Sequence, residues 1–153
     1  MTRFRDVLGR FATGVTVVTA LEDGVPVGFT CQAFASLSLS PPMVALAPSK
    51  TSTSWPRMFE AGAFCVNILT DEQQAVSEAF GVRRENKFEG IAWHVGAAGT
   101  PVIDGSLAWV ECELVAVHDA GDHELVTGLV LELGVGEGNP LIFYRSGYGA
   151  LRG

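Results

Sequence analysis

Residues 28–42 read Gly-Phe-Thr-Cys-Gln-Ala-Phe-Ala-Ser-Leu-Ser-Leu-Ser-Pro-Pro, and the rest of the chain is interpreted around them. They follow an apolar run and end in a double proline, which predicts a segment that leaves a strand, crosses a surface and stops. Small side chains and free backbone N–H groups in such a segment can lie against a flat ligand, with Phe29 or Phe34 packed behind. A Ser/Thr-rich loop without a ligand fits the same composition.

The length and composition predict one compact domain over residues 1–153. Hydrophobic residues make up 48% of the chain and charged residues 18%, which argues against disorder. The 18 glycines are more than usual and predict many turns and close backbone approaches. We see no internal repeat, linker or low-complexity tail.

The net charge of −7 makes nucleic acid an improbable partner. The charge is also unevenly distributed, because residues 88–144 contain nine carboxylates and no Lys or Arg. An anionic ligand must therefore be bound mainly by cations of the first half or by Arg145. The first-half candidates are Lys50, Arg83, Arg84 and Lys87.

The apolar runs and the cysteines bear on location. No apolar run reaches the ~20 residues that a membrane span needs, so we expect no membrane association. The three cysteines, Cys31, Cys65 and Cys112, lack the spacing of a metal site, and their odd number fits a reducing compartment. We expect a cytoplasmic protein without a metal centre.

The pattern of apolar runs predicts a mainly β fold with short helices. Six or seven strands are expected, with helices near the N-terminus, after Ser54 and after the capping-box pattern of Thr70 and Gln73. Asp23-Gly24 and Gly121-Asp122 are predicted hairpin turns. This favours an antiparallel Greek-key barrel over a parallel doubly wound sheet. No Gly-x-Gly-x-x-Gly follows the first strand, which argues against a Rossmann domain.

Five further segments flank the opening stretch in a familiar order. They are Arg10 to Thr19, Phe64 to Leu69, Lys87-Phe88, Gly121-Asp122-His123 and Tyr144 to Tyr148. In this order and spacing the chain resembles the flavin reductase family, whose fold is the split-barrel flavin-binding type. The resemblance runs from about Phe4 to Tyr148.

The resemblance implies an NAD(P)H-dependent flavin reductase. Such an enzyme transfers a hydride from NADH or NADPH to FMN or FAD and supplies reduced flavin to a partner monooxygenase. It also implies a homodimer, because family barrels bury one face against a second copy. Two alternatives stay open: a flavin-binding carrier or sensor without turnover, and a reductase of the same fold with another acceptor.

The resemblance also assigns cofactor-binding residues. It places the flavin ring against Thr30, Cys31, Gln32, Ala33 and Phe34, the phosphate near Ser49, Lys50 and Ser52, and Lys87, Phe88 and Tyr148 beside the flavin. Ala33 stands where family members often have serine, so a hydroxyl contact is lost there. Without the resemblance, the serine loop could simply cap a helix, Lys87 could be a solvated charge and Phe88 a core residue.

His123 is the candidate catalytic residue. It follows Gly121-Asp122 at a turn between two long strands, and the resemblance places it at the nicotinamide site. A turn histidine bonded to Asp122 or Asp119 fits the sequence equally well. His94 and His118 have no such context. His118 and His123 have no cysteine or third histidine beside them, which argues against a metal site.

Overall fold

The computed structural model describes residues 2–151, which form short helices around extended antiparallel strands. The helical elements are α1 (Thr2–Leu8), α2 (Trp55–Ala61), a 3₁₀ turn (Asp71–Gln73) and α3 (Gln74–Phe80). The strands are β1 (Thr13–Gly14), β2 (Thr16–Glu22), β3 (Val25–Cys31), β4 (Phe34–Leu39), β5 (Pro42–Leu46), β6 (Ala63–Ile68), β7 (Trp93–Val95), β8 (Pro101–Ile103), β9 (Ala108–Ala120), β10 (His123–Val135), β11 (Leu141–Tyr144) and β12 (Gly147–Ala150). Within residues 2–151, no helix has the length and apolar character needed to span a bilayer.

Seven of these strands form one antiparallel sheet in the order β3-β2-β6-β9-β10-β5-β4. Strands distant in sequence are neighbours in it, as β2 is of β6 and β10 is of β5, so the connections are of the Greek-key kind. The prediction of a mainly β, antiparallel split barrel is confirmed. Two smaller sheets, β1-β11-β12 and β7-β8, complete the described strands.

Two hairpins confirm the predicted turns. Asp23 and Gly24 link β2 to β3 with φ values of 50° and 81°, the left-handed conformation that a tight two-residue hairpin requires. Gly121, at a φ of 73°, and Asp122 join β9 to β10, whose first ladder pair is His123 with Ala120. The second hairpin places His123 at the tip of the longest ladder in the molecule's described part.

The opening stretch corrects one prediction. Residues 34–39 do not cross a surface as a loop but form β4, an edge strand paired with β5. A register shift lies between Ser36 and Ser38, and the strand is largely exposed. Serines suit an exposed edge strand because they tolerate extended backbone and solvent, so composition alone suggested a loop. The short strands β1, β7, β8 and β12 were also not predicted, because they have only two to four residues.

The apolar core has two parts. One cluster fills the barrel and includes Val18, Leu46, Phe64 and Val126, all at most 1% exposed. The other is a smaller cluster around Phe80 of α3. It brings together buried residues from several strands and loops, namely Val15, Val17, Leu69, Phe88, Ile103 and Leu141. Gly128 lies where β10 crosses the ring of Phe64, and a Cβ there would approach the ring carbon to 2.6 Å. The close approach of backbone to ring explains a glycine inside this strand.

Glu111 holds the loop between β7 and β8 against the barrel. Its carboxylate is 1% exposed and accepts hydrogen bonds from the N–H groups of Ala98 and Thr100 at 3.1–3.2 Å and from the Thr100 hydroxyl at 2.7 Å. A Cβ at Gly96 would overlap the same carboxylate. Glu113, two residues along the same strand, is exposed, so the loop covers Glu111 and leaves Glu113 in solvent.

We expect Glu111→Gln to lower the free energy of unfolding by about 2–4 kcal/mol. The substitution keeps the shape but removes the charge and turns an amide NH₂ toward N–H donors. The matched control is Glu113→Gln, two residues along the same strand, which should change stability by about 0.5 kcal/mol or less. Urea denaturation of both variants measures the difference. Equal effects would show that the buried hydrogen bonds of Glu111 do not stabilise the fold.

Candidate functional site

A cavity of about 390 Å³ opens where four segments of the chain meet. Its walls come from the end of β3 and the residues after it, the loop that follows β5, the end of α3 with the following charged loop, and the tip of the β9–β10 hairpin. Most of the predicted site residues line it: Thr30, Cys31, Gln32, Ala33, Ser49, Ser52, Lys87 and His123. Residues separated by more than 90 positions in sequence are thus gathered around one opening. The size is that of a small-molecule site.

Four other predicted site residues do not line this cavity. Phe34 is half-buried against the barrel core, and Phe88 is buried between Phe80 and Trp93, with ring centroids at 4.8 and 5.7 Å. The Lys50 ammonium pairs with the carboxylate of Asp119. Tyr148 contacts α3. Their direct contacts with a flavin stay predictions.

Tyr148 reaches the cavity wall through α3. Its hydroxyl is 2.8 Å from the hydroxyl of Ser77, and the carbonyl of Ser77 accepts a hydrogen bond of 2.6 Å from the Thr30 hydroxyl. Because the proton of Thr30 is used in this bond, its side chain presents an acceptor oxygen to any further partner. The two bonds, one to the Ser77 carbonyl and one to its hydroxyl, fix the end of β3 and Tyr148 relative to α3.

The loop after β5 is docked onto the β9–β10 hairpin. The N–H of Lys50 donates to the carbonyl of Asp122 at 3.0 Å, and the N–H of Glu124 donates to the carbonyl of Pro48 at 3.0 Å. Ser49 forms an isolated antiparallel bridge with His123. The hairpin tip and the loop are therefore held together at the cavity edge.

The start of α2 is capped by Ser52 and not by Ser54, which immediately precedes the helix. The hydroxyl of Ser52 accepts a hydrogen bond of 3.1 Å from the N–H of Trp55, whereas the Ser54 side chain makes no capping bond. Ser49 and Thr51 share a hydroxyl–hydroxyl bond of 2.8 Å. The hydroxyls of this loop thus hold its shape.

The charged loop after α3 supplies cations without carboxylate partners. Arg83, Arg84 and Lys87 donate to the backbone carbonyls of Thr51, Lys87 and Phe80 at 2.9, 3.2 and 3.2 Å. None of the ion pairs in the described part of the chain includes them.

Three neighbouring cations without carboxylate partners favour the binding of an anion. Partial burial lowers the pKa of Lys87, and repulsion by Arg83 and Arg84 lowers it further. Arg83 and Lys87 both line the cavity. A bound anion would relieve this repulsion. From the sequence, Arg83 is one of several candidate cations for an anionic ligand. Nothing in the sequence indicates that the Lys50 ammonium pairs with Asp119.

His123 has a defined orientation at the cavity edge. Its Nδ1 is 2.8 Å from Oδ1 of Asp122. The hydrogen bond from His123 lowers the pKa of the Asp122 carboxyl, so Asp122 is ionised and can only accept. Nδ1–H is therefore the donor, and Nε2 remains available to a ligand. Both roles predicted for His123, a turn residue and a site residue, are compatible with this geometry. The side chain bonds to Asp122 in the turn and also lines the cavity.

Cys31, the cysteine in the cavity wall, has low reactivity. Burial raises the pKa of the Cys31 thiol to about 11, and its Sγ donates to the carbonyl of Ala33 at 3.5 Å. Burial, followed by the charge of Glu111, raises the pKa values of Cys65 and Cys112 to about 12. All three cysteines are free and buried. The thiolate is the nucleophilic form, so the cavity has no thiol nucleophile.

The model of the flavin reductase like domain family matches residues 8–152. The chain belongs to this family, as the resemblance predicted. The reductase subunit HsaB of a flavin-dependent monooxygenase from Rhodococcus jostii is 52% identical over 95% of this chain and 75% of its own length. The NADH-dependent FMN reductase SmoA from Agrobacterium fabrum is 42% identical over 95% of this chain and 83% of its own. Nitrilotriacetate monooxygenase component B from Mycobacterium thermoresistibile has a TM-score of 0.95 at 49% identity, covering 99% of this chain and 86% of its own.

The cavity fits a flavin on the structure's own evidence. Gln32 and Ala33 are exposed between two strands, so their backbone and the small side chain of Ala33 can lie against a ring. Arg83 and Lys87 lack carboxylate partners and suit a phosphate. The fit concerns the types and charges of the residues that line the cavity.

The thiols provide a test of this description. At pH 8, a thiol with a pKa of about 11 is about one part in a thousand ionised, against about a quarter for an ordinary cysteine. We expect the native protein to react slowly with a disulfide reagent and all three thiols to react at once in urea. A fast phase of one thiol in the native protein would contradict the buried state of Cys31.

Proposed function

We propose that this flavin reductase transfers a hydride from NADH or NADPH to a flavin bound in the cavity and passes the reduced flavin to a partner monooxygenase. The observation that carries the proposal is that residues 30–33 line the same cavity as Arg83 and Lys87, two cations without carboxylate partners. The names of HsaB and SmoA support the reaction and the partner class.

Two groups of cavity residues divide the work of binding. When bound, the flavin accepts a hydride on its ring, chemistry that belongs to the cofactors. The residues from Thr30 to Ala33 hold the ring, and Ala33 contributes backbone because it has no hydroxyl. Arg83 and Lys87 hold the phosphate. Lys50 keeps the serine loop in place through Asp119, and Phe88 and Tyr148 support the walls from behind.

His123 orients the nicotinamide. Asp122 holds Nδ1–H, which leaves Nε2 to contact the carboxamide or ribose of the pyridine nucleotide. Because Ser49 and the hairpin tip are bridged, the histidine keeps a fixed position relative to the flavin. A fixed position is what a hydride transfer between two rings requires from the protein.

We propose that two copies of the chain form a homodimer, each copy acting as one domain over residues 1–153. The apolar stripe of α1 supports this, because its side chains are well exposed in the single copy: Phe4 66%, Val7 55%, Leu8 52% and, just beyond the helix, Phe11 76%. Four large apolar side chains on one short segment are costly to leave in water. A second copy is the occupant that the family resemblance indicates.

We also propose a cytoplasmic location. The support is the state of the three cysteines, all free and buried, which suits a reducing compartment. A partner monooxygenase that takes up reduced flavin would have to be in the same compartment.

Steady-state oxidation of NADH and NADPH, titrated with FMN and FAD, tests the proposed reaction. We expect oxidation that requires added flavin and saturates with it. A tightly bound chromophore without this activity would contradict the enzyme and favour a carrier or sensor. Flavin-independent oxidation with a quinone or corrinoid added would favour a reductase of another acceptor.

We expect His123→Ala to raise the Michaelis constant for the pyridine nucleotide and to slow flavin reduction by roughly tenfold to a hundredfold, the scale of lost positioning. Flavin affinity should hardly change, because Arg83 and Lys87 are intact. Stopped-flow reduction of the flavin-loaded variant measures the rate. The control is His94→Ala, which removes a histidine that is also paired with an aspartate, Asp104, but lies outside the cavity. A lower melting temperature with a normal reduction rate would assign His123 a structural role only.

A further inference from the structure

The hydroxyl of Thr30 faces a ligand in the cavity with a fixed hydrogen-bond polarity. Thr30 lines the cavity, and its hydroxyl donates to the backbone carbonyl of Ser77 at 2.6 Å. A carbonyl cannot donate in return, so the direction of this bond is certain. Within residues 2–151, no group of the chain donates to the Thr30 hydroxyl oxygen. A ligand that bonds to this hydroxyl must therefore supply the proton.

Ser77 is held in place as the acceptor of this bond. It is 1% exposed, and its hydroxyl is 2.8 Å from the hydroxyl of Tyr148. Its carbonyl also accepts from the N–H of Gly81 at 3.0 Å, at the end of α3. These bonds prevent Ser77 from turning away, so Thr30 can present its proton to the cavity only by losing a hydrogen bond that the chain already makes.

The other acceptors of the same wall are in use or have no fixed polarity. The carbonyl of Gln32 accepts from the N–H of Phe34 at 2.9 Å. The carbonyl of Ala33 accepts from the N–H of Ala47 at 3.0 Å. Ala33 has no hydroxyl, and the side-chain amide of Gln32 can turn either its oxygen or its NH₂ group toward a ligand. Thr30 therefore contributes the side-chain oxygen of this wall that can only accept.

The polar atoms of a flavin ring differ in what they can offer such an oxygen. Oxidised isoalloxazine has one N–H, at N3, whereas N1, N5, O2 and O4 carry lone pairs and no proton. An acceptor placed against any of these four atoms would leave both groups without a proton between them, which is unfavourable in a partly buried site. The N3–H group is the one polar group of the oxidised ring that matches Thr30.

We propose that the Thr30 hydroxyl oxygen accepts a hydrogen bond from N3–H of the flavin ring and is a specificity-determining residue for the ring. The inference rests on the proposed function, because it names the polarity of a contact in the same site. N3–H is present in the oxidised and in the reduced ring, so Thr30 stabilises both states alike. A contact with N5–H would differ, because that group exists only after reduction.

The test compares the dissociation constants of FMN and N3-methyl-FMN, measured by isothermal titration without a pyridine nucleotide. The methyl group replaces the N3 proton and leaves the ring acceptors and the phosphate unchanged. We expect the unaltered chain to bind FMN about tenfold or more tightly than N3-methyl-FMN, the scale of one partly buried hydrogen bond. Equal affinities in the unaltered chain would overturn the inference without any variant.

Thr30→Val should reduce the preference for FMN about tenfold by weakening FMN. Valine keeps the shape of threonine, and the Ser77 carbonyl keeps its bond to the Gly81 N–H, so the variant should fold. Thr30→Ser retains a hydroxyl and should retain the preference. The matched control is Thr53→Val, which makes the same change at an exposed threonine that also lines the cavity, and it should keep the preference.

The same titration with reduced FMN, under anaerobic conditions, separates N3–H from N5–H. We expect Thr30→Val to weaken reduced and oxidised FMN by the same factor. A loss confined to reduced FMN would assign Thr30 to N5–H and overturn the inference. An unchanged preference for FMN over N3-methyl-FMN in Thr30→Val would also overturn it, because N3–H would then bond to another acceptor, such as the Gln32 amide. Failure of the unaltered chain to bind FMN or FAD would instead contradict the proposed function itself.

Discussion

The pairing of β9 with β10 is the constraint on which the rest of the structure depends. This ladder lies in the middle of the seven-strand sheet, with β6 on one side and β5 on the other. Its tip carries His123 and holds the loop after β5 through the bonds of Lys50 N–H and Glu124 N–H. A displacement of the hairpin would therefore move the barrel wall, the serine loop and His123 together.

Charge is distributed to suit an anionic ligand in an acidic protein. The segment from residue 88 to residue 144 has no Lys or Arg, so the cations near the cavity come from the residues before it. Arg83, Arg84 and Lys87 use backbone carbonyls as acceptors and keep their charge uncompensated. The repulsion among them is a cost of the unliganded state, and a phosphate would convert it into binding free energy.

Much of this architecture could be predicted from the sequence. The long apolar strands, both hairpin turns and the capping box follow from local patterns, since Asp-Gly turns and Thr-x-x-Gln caps depend on neighbouring residues. The Thr70 N–H indeed donates to Oε1 of Gln73 at 2.9 Å. The cavity-lining segments near Thr30 and Ser49 were named from the family resemblance, because their composition alone fits a plain loop.

The parts that were missed depend on contacts between distant residues. Nothing in the local sequence indicates that Asp119 pairs with Lys50, which leaves Arg83 and Lys87 as the cavity cations without carboxylate partners. Glu111 alternates like a solvent-facing residue, yet a loop 11–13 positions away covers it. The edge strand β4 looks like a loop because it is rich in serine and most of its residues are exposed. Tertiary pairing decided each of these cases.

A crystal structure of the chain with FMN or FAD would test the central claim most directly. The account predicts the flavin ring against residues 30–33 and the first phosphate within about 2.7–3.2 Å of the Arg83 guanidinium and the Lys87 ammonium. It also predicts that Lys50 stays paired with Asp119. A flavin bound outside the cavity, or a phosphate held by Lys50 with the Asp119 pair broken, would contradict it.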